Sequence, residues 1–392
     1  VGEVAAKPAH TPSIRDVARL AQVSHQSVSR VLNGRPNVSD ETRRRVLDAI
    51  EALNYRPNRA ARALALRRSQ MIGVLAYGQR AYYGSTSSIN AIEDTARSEG
   101  YSTLVANASD GGSTSLTKAM EHLVAEGVDG IIVLAPQPHT AEIVTSLKVP
   151  VPVLALQSPK ESLQNGIGVD NYFGTELAVR HLVALGHTRI ALLRGPSGWS
   201  EATARTQGAL DAVHEAGLSL LASVEGDWTA EVGYSNGPRL LATNPTAIIS
   251  ANDQMALGLL HAVHEAGLSV PEDISIIGFD DVPEAAHYLP PLTTVRQDFR
   301  EVGRRAIAAL LARMRGGKVA YRAPLRPELI VRCSTASPLA AMVPPASASA
   351  ASMSATATAA VVVPTAAVPA TDVAMTGARS AQQAAEPGTI SR

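Results

Sequence analysis

The sequence predicts a small all-α head followed by an α/β body built on two parallel sheets, and three observations carry that prediction. Residues 13–54 place apolar side chains at helical spacing, with a capping residue ahead of each run. From Met71 the texture changes to short continuous apolar runs alternating with helical stretches that end in glycine, the pattern of parallel strands covered on both faces. From about Ala336 the chain turns rich in Ala, Ser, Thr, Pro and Val. Residues 339–392 therefore read as a disordered tail, unable to bury enough surface to offset the entropy of ordering.

Within the head, Ser13 caps a first helix with Asp16 at the capping-box position, and Ile14, Val17, Ala18 and Ala21 line one face. A short turn through Gln22 and Val23 reaches Ser24, the cap of a second helix lined by Val28, Val31 and Leu32 and ended by Asn33-Gly34. Ser39 caps a third helix with Val46, Ile50 and Leu53 inward. Residues 1–12 are polar, lack the apolar core of a signal peptide, and are expected to be disordered. In the body, the runs at 71–77, 103–108, 130–136, 151–156, 189–195, 246–253 and 274–281 read as strands. About 265 residues of such sequence suit two sheets better than one.

Formal net charge is zero, but the first 70 residues hold thirteen basic side chains against six acidic ones, and the remainder holds 22 against 29. A basic head on an acidic body is the footprint of a nucleic-acid-binding module joined to something else, set against the blander reading of a solvated basic surface. The single cysteine, Cys333, excludes an intrachain disulfide and a thiolate metal cluster. No run of 18 clean apolar residues predicts a membrane span, and the cytoplasm is the expected compartment.

The spacing Ala18–Ala21–Val28–Val31 fits a helix-turn-helix, in which small Ala18 lets two short helices cross. Its second helix presents His25, Gln26, Ser29, Arg30 and Asn33 away from the core, toward a major groove. Arg30 suits a guanine edge and Gln26 an adenine edge, while Ser13 and Ser24, with the helix N-terminal amides, suit phosphates. Arg43, Arg44 and Arg45 are expected to form a solvated or phosphate-facing side.

The strand ends of the body converge on Tyr77, Ser109-Asp110, Gln157, Asp170-Asn171, Asn252-Asp253, Asp280-Asp281 and Arg296-Gln297. Such a ring of carboxylates and amides suits hydroxyl-rich neutral ligands. Paired carboxylates could also be a glycosidase acid and base, and the structural reading of Asp253 and Asp281 is capping of the next element. The octapeptide AVHEAGLS occurs at 212–219 and at 262–269. It reads as a repeated helix C-terminus with glycine in the left-handed position, not as a histidine metal site, because no glutamate stands as in a zinc-protease helix.

The segment from Ser13 to Leu64, SIRDVARLAQVSHQSVSRVLNGRPNVSDETRRRVLDAIEALNYRPNRAARAL, resembles the N-terminal module of the lactose repressor (LacI/GalR) family at nearly every position. The body resembles the same family from Met71 to about Pro338, through HLVALGHTRIALLRGP, the GDW at 226–228, ANDQMALG at 251–258 and YLPPLTTVRQDFR at 288–300. The resemblance implies a helix-turn-helix domain at 13–57 and a hinge helix at 58–68. The hinge would fold on operator DNA, with Asn58, Ala61 and Leu64 on the DNA and Leu64 wedged into the minor groove. A ligand-binding and dimerisation domain follows at 69–338. It is made of two Rossmann-like subdomains of the periplasmic-binding-protein type, one at 69–169 and 297–326, the other at 170–296 and 327–338.

By the same resemblance, effector contacts fall on Arg205, Trp228, Asn252, Asp280, Gln297 and Phe299, with Tyr77 and Gln157 across the cleft. Trp228 has a core aromatic as its plainer reading. Gln157 replaces an aspartate, Tyr77 a serine and His25 a tyrosine of the family's lactose-responsive namesake, while Tyr82-Tyr83 fall in a loop over the pocket. The implied protein is no enzyme and needs no cofactor. It is a cytoplasmic, nucleoid-associated, homodimeric repressor of sugar-utilisation genes with no membrane partner, released from a palindromic operator by a sugar inducer. A regulator that needs a co-repressor such as a purine is the alternative. The segment His287-Tyr288-Leu289 matches part of the family's dimer contact, and the tail lacks the leucine heptads of a tetramer.

Overall fold

The computed structural model describes residues 12–32, 38–56, 68–77, 82–108, 112–134, 137–156, 167–317 and 323–338. The expectations placed on Asn33, on the hinge residues Asn58, Ala61 and Leu64, on Ser109-Asp110, on Gln157, on the N-terminal residues 1–11 and on 339–392 lie outside them, as does the side chain of Tyr77.

The head has three helices, α1 (Ile14–Leu20), α2 (His25–Leu32) and α3 (Asp40–Ala52). The Asp16 carboxylate accepts from the Ser13 N–H at 2.9 Å and from its hydroxyl at 2.7 Å. Ser24 Oγ accepts from the Ser27 N–H and Ser39 Oγ from the Thr42 N–H, so each helix starts where its cap was read. Val17, Ala18, Ala21, Val28, Val31, Val46 and Ala49 bury one small core. The arginine run is not wholly a solvated side. Arg45 donates to the Ala21 and Gln22 carbonyls at 2.5 and 2.9 Å, pinning the turn in which Gln22 sits at φ +50°. Carbonyls at a helix end lack an intrahelical partner, and Arg45 on α3 supplies the donor here.

The body holds two sheets. The first orders its strands β2-β1-β3-β4, all parallel, from β1 (Met71–Tyr77), β2 (Ser102–Ala108), β3 (Gly130–Leu134) and β4 (Val153–Leu156). Helices α4 (Tyr83–Ser98), α5 (Ser113–Ala125) and α6 (Pro138–Ser146) connect them. After the chain crosses over come α7 (Asn171–Ala184), β5 (Ile190–Arg194), α8 (Ser200–Glu215), β6 (Ala222–Glu225), α9 (Ala230–Leu241), β7 (Ala247–Ser250), α10 (Asp253–Glu265), β8 (Ser275–Asp280) and β9 (Thr293–Arg296). Then α11 (Phe299–Met314) returns to pack its buried face with the core of the first sheet, and β10 (Glu328–Ile330) closes the second, whose order is β10-β9-β8-β7-β5-β6. Every residue of β3 and of β8 is buried, which is why these strands read as unbroken apolar runs.

Three strands had no such signal. β6 buries only Val224, and β10 is three residues long and antiparallel on β9; both are sheet edges, where no apolar run is required. β9 lies inside the sheet, but two of its three buried residues are threonines, so it forms no apolar run. Two of the crossover segments zip together. Val169 bridges Leu325, the Asp170 N–H donates to the Leu325 carbonyl, and the Leu325 N–H donates to the Gly168 carbonyl, both at 2.8 Å. The repeated octapeptide ends two helices as read, with Gly217 at φ +71° and Gly267 at φ +72°. Ordered packing continues to the edge of the alanine-rich region. Ser334 is fully buried between Ile276 and Thr293, and the Ala336 carbonyl lies 2.9 Å from His187 Nε2.

Candidate ligand pocket and recognition helix

The pocket forms where the carboxyl ends of β5, β7, β8 and β9 meet the start of α4. Its floor is polar. Arg205, on α8 and 6% exposed, donates from Nε to Asn171 Oδ1 at 2.8 Å and from Nη1 to the Ala251 carbonyl, and its Nη2 lies 3.5 Å from Asp280 Oδ1. The guanidinium stacks 3.8 Å from the centre of the Phe279 ring and 5.4 Å from that of Trp228. Gln297 Nε2 donates to the same Asp280 oxygen at 2.6 Å. Asn252 caps α10 by accepting from the Met255 N–H and donates to the Trp228 carbonyl at 3.0 Å, tying the end of β7 to the tryptophan.

The walls are aromatic. Tyr82 meets Trp199 edge-on at 5.4 Å, Trp199 meets Trp228 at 5.9 Å, and Tyr83 meets Phe299 at 5.9 Å. Tyr82 and Tyr83 stand at the N-terminus of α4, a fixed helix end instead of the loop expected of them. The Trp228 ring rests on the backbone of Gly195, where a Cβ would collide with it. Three non-glycine residues at this rim hold positive φ: Trp228 (+74°), Asp280 (+114°) and Asp281 (+56°). Such strain persists only where surrounding structure imposes it, and it gathers at ligand sites.

The structure corrects the capping reading of two carboxylates. Asp253 is completely buried and accepts from the Thr294 hydroxyl at 2.6 Å and the Val282 N–H at 2.8 Å, in space that Gly278 leaves free; it locks β8 to β9, and Asn252 is the cap. Asp281 pairs with Arg296 and Arg332, both at 2.6 Å. Burial, then the neighbouring Asp280, push the Asp253 carboxyl up to about 8. Burial pushes Asp280 up to about 6 against the pull of Arg205.

Arg205, Trp228, Asn252, Asp280, Gln297 and Phe299 line one cavity. Trp199 and Glu201, also in its lining, had been missed. A signal for them exists at the end of β5, a strand end absent from the polar ring: Trp199 caps the helix that follows it and Glu201 stands in that helix's first turn. The cavity measures about 50 Å³, room for a few waters at about 10–15 Å³ each. Among the described residues, four buried side-chain atoms lack a hydrogen-bond partner, and two of them, Glu201 Oε2 and Trp228 Nε1, belong to residues that line this cavity.

On the head, α2 buries Val28 and Val31 and leaves His25, Gln26 and Arg30 exposed, with Ser24 exposed at its start and Ser29 half-buried. Ser13 is half-buried with its hydroxyl committed to Asp16.

A helix-turn-helix joined to a two-sheet body with a cleft at its strand ends defines a DNA-binding transcriptional regulator with a periplasmic-binding-protein-like domain. Residues 13–58 match the bacterial regulatory proteins of the lacI family, and residues 179–335 match the periplasmic binding protein-like domain. The chain is 38% identical over 329 residues to the lactose operon repressor of Escherichia coli (strain K12), covering 83% of this chain and 91% of that one. It therefore belongs to the lacI family. It is also 35% identical over 336 residues to the transcriptional repressor PurR of Pasteurella multocida (strain Pm70), covering 83% of this chain and 99% of the other. The crystal structure of the lac repressor dimer bound to operator and the anti-inducer ONPF superposes with a TM-score of 0.75 at 38% identity, covering 83% of this chain and 99% of that one. The complex of the transcriptional regulator CelR with cellobiose gives 0.62 at 28% identity, covering 82% and 99%. No described helix is long and apolar enough to cross a membrane.

Proposed function

We propose that this chain acts in the cytoplasm as a homodimeric repressor of sugar-utilisation genes, held on a palindromic operator by its two heads and released by a sugar bound in the pocket. The observation that carries the sugar reading is the Arg205–Asp280–Gln297 network beneath Trp228. It offers fixed donors and acceptors for vicinal hydroxyls under an aromatic face suited to pyranose C–H groups. A purine co-repressor is the second reading, favoured by the PurR likeness and by aromatic walls that could hold a planar base. On the head, His25, Gln26, Ser29 and Arg30 read bases while Ser24 and the N-terminus of α1 hold phosphates. Asn33, Asn58, Ala61 and the wedge Leu64 complete that interface. Tyr77 and Gln157 complete the pocket from the first subdomain.

Thermal-shift measurements with lactose, cellobiose and hypoxanthine separate the two readings. A true effector at a hundredfold excess over its Kd stabilises by about 2.7 kcal/mol. The Arg205→Ala variant loses charge-assisted hydrogen bonds worth about 1.5–3 kcal/mol. Its operator release then needs roughly ten- to a hundredfold more sugar, read by gel shift against sugar concentration. Release as easy as in wild type moves the pocket elsewhere, and a ligand that tightens operator binding establishes the co-repressor reading instead.

A further inference from the structure

Two of the unpartnered atoms are complementary and line the same cavity: Glu201 Oε2, an acceptor, and Trp228 Nε1, a donor. A buried polar atom without a partner costs about 1–3 kcal/mol, so two in one small cavity call for a common partner. The Trp228 indole is held between the Gly195 backbone, the edge of Trp199 and the Arg205 guanidinium, on a residue at φ +74°. Glu201 sits in the first turn of α8, where its own backbone N–H engages the carboxylate and the helix dipole favours a negative charge.

A group that donates and accepts at once satisfies both atoms, and a hydroxyl does so. We propose that Glu201 and Trp228 together anchor one hydroxyl of the effector, Glu201 Oε2 accepting its hydrogen and Trp228 Nε1 donating to its oxygen, which makes Glu201 a specificity-determining residue of the pocket. The inference rests on the sugar reading above and adds to it a contact outside the Arg205–Asp280–Gln297 network.

Burial pushes the Glu201 carboxyl up to about 7, with Arg205 on the same helix pulling it down and Asp280 from β8 pushing it up. Accepting a hydroxyl hydrogen favours the ionised form, so sugar binding releases a proton and tightens as pH rises through that value. For one such group, affinity is about tenfold higher at about pH 8 than at about pH 6. Asp280, pushed up to about 6, titrates lower and adds a slope of its own that remains when Glu201 is replaced.

The test uses the full chain and whichever of lactose and cellobiose gives the larger thermal shift. Calorimetric Kd values for wild type, Glu201→Gln and Glu201→Ala at about pH 6 and pH 8, repeated with the monodeoxy analogues of that sugar, provide two independent readouts. In the wild type one deoxy position weakens binding about tenfold or more, and affinity rises with pH. In Glu201→Gln the same deoxy position matters several-fold less and most of the pH slope is gone. The isosteric Gln keeps the packing, and a preserved melting transition shows the fold intact. Equal deoxy profiles and equal pH slopes in wild type and Glu201→Gln overturn the anchor while leaving the sugar reading standing. Binding of hypoxanthine with no response to either disaccharide overturns both.

Discussion

Arg30 and Arg205 are the same side chain put to opposite uses. Arg30 is exposed on α2 and free to choose a partner outside the chain, whereas Arg205 is 6% exposed and already engaged with Asn171, Ala251 and Asp280. Burial lowers the affinity of the Arg205 guanidinium for its proton, offset by Asp280 and Glu201. It stays charged only because its partners replace the water it lost. For Arg30 a bidentate guanine contact is worth about 1–3 kcal/mol of discrimination. The Arg30→Ala variant should lose that preference at one base pair per half-site while other positions keep theirs, as gel-shift competition across base variants would show. Uniform weakening on every sequence would make Arg30 a phosphate contact.

At the scale of elements, the C-terminal segment of the body around Ala336 is clasped by a histidine just past the end of α7. His187, 2% exposed, lies 3.0 Å from the Thr246 hydroxyl through Nδ1, and its Nε2 lies 3.1 Å from Ser275 Oγ and 2.9 Å from the Ala336 carbonyl. Burial, and nearby His181, hold its proton affinity below the ordinary histidine range, while the Ala336 carbonyl pulls it up. A depressed folded-state value means the clasp contributes its full stability above the unfolded value of about 6.5 and loses it as pH falls through the lower folded value. The buried carboxyls of Asp253, Asp280 and Glu201 are raised and work in the opposite sense, gaining on acidification. The difference between wild type and His187→Ala isolates the clasp. The variant should be about 1–3 kcal/mol less stable near pH 8, and denaturant melts should show that gap narrowing below about pH 6.5. A gap that does not change with pH would mean the imidazole contributes by packing alone.

Across the whole molecule, the pocket draws its walls from both subdomains. Tyr82 and Tyr83 come from the α4 side, Phe299 from the return crossover, and Trp199, Trp228 and Asp280 from the second sheet. A ligand seated there biases how the two sheets sit on their zipped crossovers, and the first sheet begins with β1, the first body strand after the head in the chain. If the sugar prefers the arrangement that DNA disfavours, the coupling must be reciprocal, typically about 1–3 kcal/mol. Operator DNA should then weaken sugar binding by the same factor by which sugar weakens operator binding, a roughly five- to 150-fold effect. Calorimetry of the sugar with and without saturating operator measures one side and gel shifts measure the other. Sugar affinity unchanged by saturating operator would show that the pocket and the head are uncoupled.

The local chemistry of the chain by itself determined the caps at Ser13, Ser24 and Ser39, the glycine ends at Gly217 and Gly267, and the buried strands β1, β3, β5, β7 and β8. Each depends on neighbours in sequence or on a stretch buried on both faces, and leaves a periodic trace. The placement of Arg205, Trp228, Asn252, Asp280, Gln297 and Phe299 in one pocket came from resemblance, since nothing in the spacing of residues so far apart joins them. What only the tertiary structure decided was the partner of each long-range polar group. Asp253 and Asp281 have helix-cap positions in the sequence, yet one locks β8 to β9 and the other holds Arg296 and Arg332. Arg45 sits in a run that looks solvated, yet it closes a turn on another helix. The physical reason is common to all three: a polar side chain drawn out of water must find donors or acceptors wherever the fold brings them, and a carboxyl or guanidinium carries no local mark of the partner it will meet.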